Sequence, residues 1–259
     1  MNEPKLVIFD LDDTLVDTSH VYWVARKRFS DTVKQQGVSE NVIIDTFEHL
    51  DAENIKKFGL IPSRYGITMS ETYDLLAERY HFEKHESILR EIEICGDVVL
   101  NSLPKLIPGA MELLKWISTR FDTILLTRGI PELQHKKIES RRIAHFFRYI
   151  RIVPHKSSID FEQVVKKSGF DPKDAWAIGD SIRSDINPAL QAGLNAILYR
   201  YTHHSYYWRQ EYGVTPSGSF VCVDRLKDIK KVLEAPGDVN LTTPDIWSDR
   251  IKAEFPRPK

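Results

Sequence analysis

The chain is expected to fold as an α/β protein: a doubly wound parallel sheet, helices on both faces, with a separate helical domain inserted. Three observations predict this. Short apolar runs bounded by turn residues recur along the sequence, helical stretches alternate with them after about residue 103, and the long interval between the first two runs carries helical spacing without a strand.

Leu6–Phe9 is the first such run, uniformly apolar as a strand covered on both faces should be. Four helices are then expected, Val21–Gln36, Asn41–Phe58, Ser70–Tyr80 and His85–Leu100, with Gly37, Pro62, Gly66 and the turn Glu83-Lys84-His85 as breaks. Together they make residues 18–102 an insertion, and one that starts just after the first strand is placed to act as a lid. Pro108-Gly109 leads into a helix over Ala110–Ser118, followed by a strand at Thr123–Leu126. Pro131 leads into Glu132–Ser140, and the strand Tyr149–Val153, helix Phe161–Ser168 and strand Ala175–Ile178 follow. Pro188 opens a helix over Ala189–Ala192 that Gly193 closes, and Ala196–Tyr199 is the next strand. Residues 201–213 are aromatic and polar without a period. A strand at Ser219–Val223 and a helix at Leu226–Leu233 complete the core, which comprises residues 1–17 and 103–234. Residues 235–259 carry four prolines and are expected to be an extended C-terminal extension.

A formal net charge of -1 over 259 residues supplies no basic field for nucleic acid or an anionic membrane, so neither is expected as a partner. Cys95 and Cys222 are the two cysteines, and no Cys-x-x-Cys spacing suggests a disulfide scaffold or thiolate zinc site. The first strand begins too early to leave room for a signal peptide, and no apolar run approaches the roughly 20 residues of a membrane span. A cytoplasmic location is expected. Oligomeric state is not encoded in any pattern here.

Four acids stand directly after two of the apolar runs: Asp10 and Asp12 in VIFDLDDTLVD, Asp180 and Asp185 in AIGDSIRSDI. In open parallel sheets ligands collect at the carboxyl ends of strands, so neighbouring strands would gather these carboxylates in one crevice. At about 4 Å and an effective dielectric of about 20, each pair would repel by roughly 4 kcal/mol. A cation or a raised pKa is then required. Hard oxygen ligands favour Mg²⁺, which also pairs with substrate phosphates.

With these residues in view the chain resembles the haloacid dehalogenase-like (HAD) hydrolase superfamily, in its phosphatase branch. Asp10-Leu11-Asp12-Asp13-Thr14-Leu15-Val16 is similar to its first motif, Leu125-Leu126-Thr127-Arg128-Gly129 to the second, Lys156 in VPHKSS to the third, and Gly179-Asp180-Ser181 through Asp185 to the fourth. The likeness covers roughly residues 5–200, including the Asn187–Gly193 helix, and makes the insertion a cap.

The resemblance implies a phosphomonoester hydrolase for a small phosphorylated metabolite. Asp10 would be the nucleophile, forming an aspartyl-phosphate, and Asp12 the acid and then the base. A halide leaving group needs no such acid, so Asp12 favours phosphate. Lys156 would neutralise charge on Asp10 and phosphate. Lys166, Lys167 and Lys173 fit a solvated face instead. Mg²⁺ would be held by Asp10, the Asp12 main-chain carbonyl and Asp180, with Asp185 behind them holding a metal-bound water or Lys156, or else capping the helix near Asn187-Pro188.

Thr14 and Thr127 would bind phosphate, although a turn threonine at position 14 equally satisfies local backbone. Arg128 replaces the asparagine often found there and either reaches a substrate anion or makes a surface ion pair. Asp13 is expected to face away and cap the following turn. His203-His204 suggest a polar loop rather than zinc, and Tyr206, Tyr207 and Trp208 either wall the crevice or pack elsewhere. A phosphomutase of the same family and a non-catalytic binding module are the alternatives.

Overall fold

Four consecutive fully buried apolar residues, Leu6–Phe9, make β1, and the chain leaves its carboxyl end through the acidic segment. The structure, a computed structural model, describes residues 3–59, 61–200 and 214–254, with side chains to Asp249. It divides into two units, Met1–Ser19 with Lys105–Lys259, and His20–Pro104.

The second unit is built by α1 (Thr18–Val33), whose first two residues belong to the first unit, then α2 (Glu40–Phe58), α3 (Ser63–Tyr80) and α4 (Glu86–Asn101). Phe29, Phe47, Tyr65, Tyr73, Ile92 and Cys95 fill its core. Two expectations need correction. Helix α3 starts at Ser63, straight after Pro62, rather than at Ser70. Gly66 does not break it, because a Cβ there would lie 3.2 Å from the Cα of Gly96, and the bare Cα atoms let α3 and α4 pack at close range. Asp51 and Arg64 form a buried ion pair between α2 and α3, joined by Thr68 and Asn54.

The first unit is a sheet of β1, β2 (Asp122–Arg128), β3 (Tyr149–Val153), β4 (Ala175–Gly179), β5 (Asn195–Tyr199), β6 (Phe220–Val223) and β7 (Leu241–Thr242). The order is β3-β2-β1-β4-β5-β6-β7, parallel throughout except for the last pair. Its helices are α5 (Ala110–Ile117), α6 (Pro131–Ser140), α7 (Ser158–Ser168), α8 (Asn187–Gln191), α9 (Leu226–Glu234) and α10 (Pro244–Glu254). Alternation of the strand side chains divides the core into two layers. Val7, Phe9, Trp176 and Ile178 face Leu113, Leu114, Ile138 and Ile229 of α5, α6 and α9. Leu6, Ile8, Ala175 and Ala177 face Phe161, Val164, Ala189 and Trp247 of α7, α8 and α10. The sheet is thus covered on both faces, as a doubly wound fold requires.

The C-terminal stretch departs from the extended form expected of it. Pro236 begins a 3₁₀ turn and Pro244 begins α10, where a missing N–H costs nothing. Trp247 is buried edge-on against Phe220, 5.8 Å between centroids, so the helix is part of the core. Among the described residues no helix is long and apolar enough to cross a membrane. His203, His204, Tyr206, Tyr207 and Trp208 lie outside the described residues.

Candidate active site

Along the sheet the chain runs outward from β1 through β2 to β3, then returns to the other side of β1 and continues through β4. The C-terminal ends of β1 and β4 therefore flank the point where the strand order reverses, where a crevice forms. Phe9 is in register with Ile178, and the N–H of Asp10 donates to the Ile178 carbonyl at 2.9 Å. Asp10 and Gly179-Asp180 consequently leave the sheet side by side.

One carboxylate oxygen each from Asp10, Asp180 and Asp185 lies within 4.8 Å of the other two, and all three residues are buried. Lys156 comes from the loop between β3 and α7. Its Nζ donates at 2.5 Å both to Asp10 Oδ1 and to Asp185 Oδ1, with its side chain only 2 % exposed. The loop is fixed by a capping box immediately after it, Ser157 exchanging hydrogen bonds with Asp160. Asp185 is further held by the Ser181 N–H at 3.1 Å, and it lies within a π-helical turn, Ile182–Ile186. Of the expected alternatives for Asp185, contact with Lys156 is the one observed. No side chain caps α8. A Cβ on Gly179 would overlap the Asp185 carboxylate, so only glycine lets the acid reach this position.

Three carboxylates against one ammonium leave an excess of negative charge that a divalent cation would balance. The donors are all oxygen, as hard cations prefer. The group can therefore hold a divalent cation. Asp185, expected behind the ligands, lies within the group, and the Asp12 side chain, which was not among the expected ligand atoms, is engaged elsewhere.

Asp12 sits in a tight turn closed by N–H groups of Leu15 and Val16 on the Leu11 carbonyl. Its Oδ1 accepts from Lys137 Nζ at 2.6 Å and from the Thr18 hydroxyl, and its Oδ2 from Gln134 Nε2 at 2.8 Å. Gln134 and Lys137 were missed in the sequence. The available signal was a polar residue at position 134 on the same helical face as buried Ile138.

Asp13 adopts φ 58° and is buried, accepting from the N–H and hydroxyl of Ser19 at 2.7 and 2.6 Å. These bonds fasten the start of α1, as a cap of the following turn would. Thr14 Oγ1 is buried with no hydrogen-bond partner among the described residues, so the local-backbone reading of this hydroxyl is not what the structure contains. Thr127, at the end of β2, accepts from Gln134 Nε2 at 2.8 Å. Arg128 is half-buried and makes no side-chain ion pair among the described residues, so the surface-pair expectation for it is not met. Of the other lysines, Lys167 lies over the Tyr149 ring, 4.5 Å from its centroid.

Asp10 and Asp12 are tuned apart. Burial pushes Asp10 up, and Asp185 and Asp12 add to this by repulsion while Lys156 opposes it. Burial also acts to raise Asp12, but Lys137, Thr18 and Gln134 outweigh it and hold that carboxyl below its ordinary value. Lys156 is held firmly protonated: burial favours the neutral amine, and Asp10 and Asp185 overcome it.

Residues 4–193 match the family model for haloacid dehalogenase-like hydrolase. A glyceraldehyde 3-phosphate phosphatase of Pyrococcus furiosus is 29% identical over 209 residues, spanning 78% of this chain and 82% of its own. Phosphoglycolate phosphatase 1 of Pseudomonas aeruginosa is 25% identical over 216 residues, 77% of this chain and 71% of its own. The crystal structure of a haloacid dehalogenase-like family hydrolase from Xanthomonas campestris superposes with a TM-score of 0.69 at 22% identity, covering 91% of this chain and 98% of that one.

Proposed function

The chain belongs to the haloacid dehalogenase-like hydrolase family, and from that premise we propose that it is a Mg²⁺-dependent phosphomonoester hydrolase working through an aspartyl-phosphate. The observation that carries the reading is the buried Asp10 carboxylate, in contact with the Lys156 ammonium and grouped with Asp180 and Asp185 at the reversal point of the sheet.

Asp10 attacks phosphorus as the bond to the leaving oxygen breaks. That oxygen keeps the electron pair and takes a proton from the Asp12 carboxyl. Water then attacks the aspartyl-phosphate, gives its proton to Asp12, and inorganic phosphate leaves as Asp10 is restored. Lys156 balances charge on Asp10 and on the transferring group, and Thr14, Thr127 and Arg128 receive the phosphoryl oxygens. The partnerless Thr14 hydroxyl supports its part in this, because a buried donor without an acceptor gains most from one supplied by a ligand. Mg²⁺ would be held by Asp10, the Asp12 carbonyl and Asp180 with Asp185 beside them, and would supply further neutralisation of phosphate charge.

The substrate is a small phosphorylated metabolite, as the names of the two phosphatase relatives suggest. The helical unit His20–Pro104 is assigned as the cap, on the strength of its insertion directly after the acidic segment. A cytoplasmic setting rests on the cysteine content alone.

The test is phosphate release from a metabolite panel including glyceraldehyde 3-phosphate and phosphoglycolate, with Mg²⁺ or with a chelator. Wild-type protein should release phosphate only with Mg²⁺, without an added bisphosphate, and Asp10→Asn should be inactive and folded. Full activity in Asp10→Asn would refute the assignment.

A further inference from the structure

Gln134 and Lys137 stand three positions apart on α6, which turns them to the same side of the helix. Both end on Asp12, but on different oxygens. Oδ1 accepts from Lys137 Nζ at 2.6 Å and from the Thr18 hydroxyl, which occupies both of its lone pairs. Oδ2 accepts from Gln134 Nε2 at 2.8 Å and keeps one lone pair. The same amide nitrogen donates to Thr127 Oγ1 at 2.8 Å and to the Arg128 carbonyl at 3.1 Å. Three acceptors thus converge on it, which fixes the orientation of the amide. Its side chain is buried over Gly129, where a Cβ would lie 2.9 Å from Gln134 Cγ and Cδ. The bare glycine is therefore part of the device. The amide ties the proton-transfer carboxyl to the end of β2, and Lys137 closes the other side.

We infer that Gln134 and Lys137 are positioning residues that lock the Asp12 carboxyl so that Oδ2 is the oxygen exchanging the proton with the leaving group and with water. This rests on the phosphatase reading. In the first half-reaction the Asp10–phosphorus bond forms, the phosphorus–oxygen bond breaks, and the departing oxygen's electron pair takes the proton from Oδ2. In the second half-reaction Oδ2 recovers a proton from the attacking water.

The experiment compares an alkyl phosphate, whose leaving oxygen needs a proton, with a dinitrophenyl phosphate, whose leaving group departs without one. The quantity read is kcat/KM, which reports the steps through phosphorus–oxygen cleavage, with kcat and KM also resolved. Lys137→Met and Gln134→Met should each lose roughly ten- to a hundredfold on the alkyl phosphate, the size expected when a reacting group is misplaced by about an ångström. On the dinitrophenyl phosphate the loss should be a few-fold at most, with KM little changed on either. Lys137→Arg should recover most of the loss. In an Asp12→Asn background Lys137→Met should cost nothing further, since the two act as one unit.

Equal losses on both substrates, or a full additional loss in the Asp12→Asn background, would overturn the inference while leaving the hydrolase reading intact. Wild-type protein that cleaves neither substrate would overturn that reading and this inference with it. Should Lys137→Met fail to fold, Lys137→Gln carries the same expectations.

Discussion

Asp10 and Asp12 are two residues apart and differ in every neighbour that matters. Asp10 sees an ammonium and other carboxylates, whereas Asp12 sees three hydrogen-bond donors and no anion in contact. Without a cation that contrast runs against the proposed roles, raising Asp10 toward the protonated form and holding Asp12 ionised, so the proposed attack by Asp10 calls for a cation beside it that restores the carboxylate. Asp10 could be read from the order DLDDT after a strand, but the donors around Asp12 could not. Lys137 is 125 positions away and one of many lysines, and only the packing of α6 brings it there. Gly179 is a residue whose role becomes plain only in three dimensions. Gly179→Ala should displace Asp185, and Lys156 with it, costing about 1–3 kcal/mol of stability and most of the turnover. Denaturant midpoints and phosphate release check this, and a fully active, equally stable variant would contradict it.

At the scale of elements, alternation of apolar runs with helices located six of the seven strands among the described residues, because buried parallel strands are nearly all apolar. The two-residue β7 was invisible, being too short to carry a period. Helix α10 lies in the stretch whose four prolines suggest an extended chain, but Pro244 occupies the first turn, where proline is compatible with a helix. Trp247→Ala should therefore cost about 3–5 kcal/mol, as for other buried large aromatics, detectable as a lower thermal midpoint. Unchanged stability would place α10 outside the cooperative fold. The capping box that holds the Lys156 loop makes a smaller prediction. Ser157→Ala should cost about 1 kcal/mol and raise the mobility of Lys156, seen as a lower kcat with the melting transition only slightly shifted.

For the molecule as a whole, the buried acids tie stability to pH. Asp13 is pushed up to about 7 by burial, against the Ser19 hydrogen bonds, and Asp10 is raised for the reasons already given. Such groups hold a proton in the folded state that the unfolded chain has already released. Their contribution is fully present below the ordinary carboxylate range and is lost as pH rises through about 7. Asp12, shifted the other way, contributes stability that is fully present above the ordinary carboxylate range and lost only as pH falls below it, so it is constant over this interval. The metal-free protein should melt at a lower temperature at pH 8 than at pH 5, as read by calorimetry. Mg²⁺ should raise the midpoint more at pH 8, where the cation need not displace a proton. A midpoint independent of pH over this interval would contradict the account.

The most direct test of the central claim, that Asp10 takes the phosphoryl group before water does, is the stereochemical course at phosphorus. A phosphorothioate ester made chiral at phosphorus with two oxygen isotopes, hydrolysed by the Mg²⁺-loaded protein in water carrying the third, should give inorganic thiophosphate of retained configuration, because two in-line displacements each invert it. Net inversion would mean a single attack by water and would remove Asp10 from the role of nucleophile.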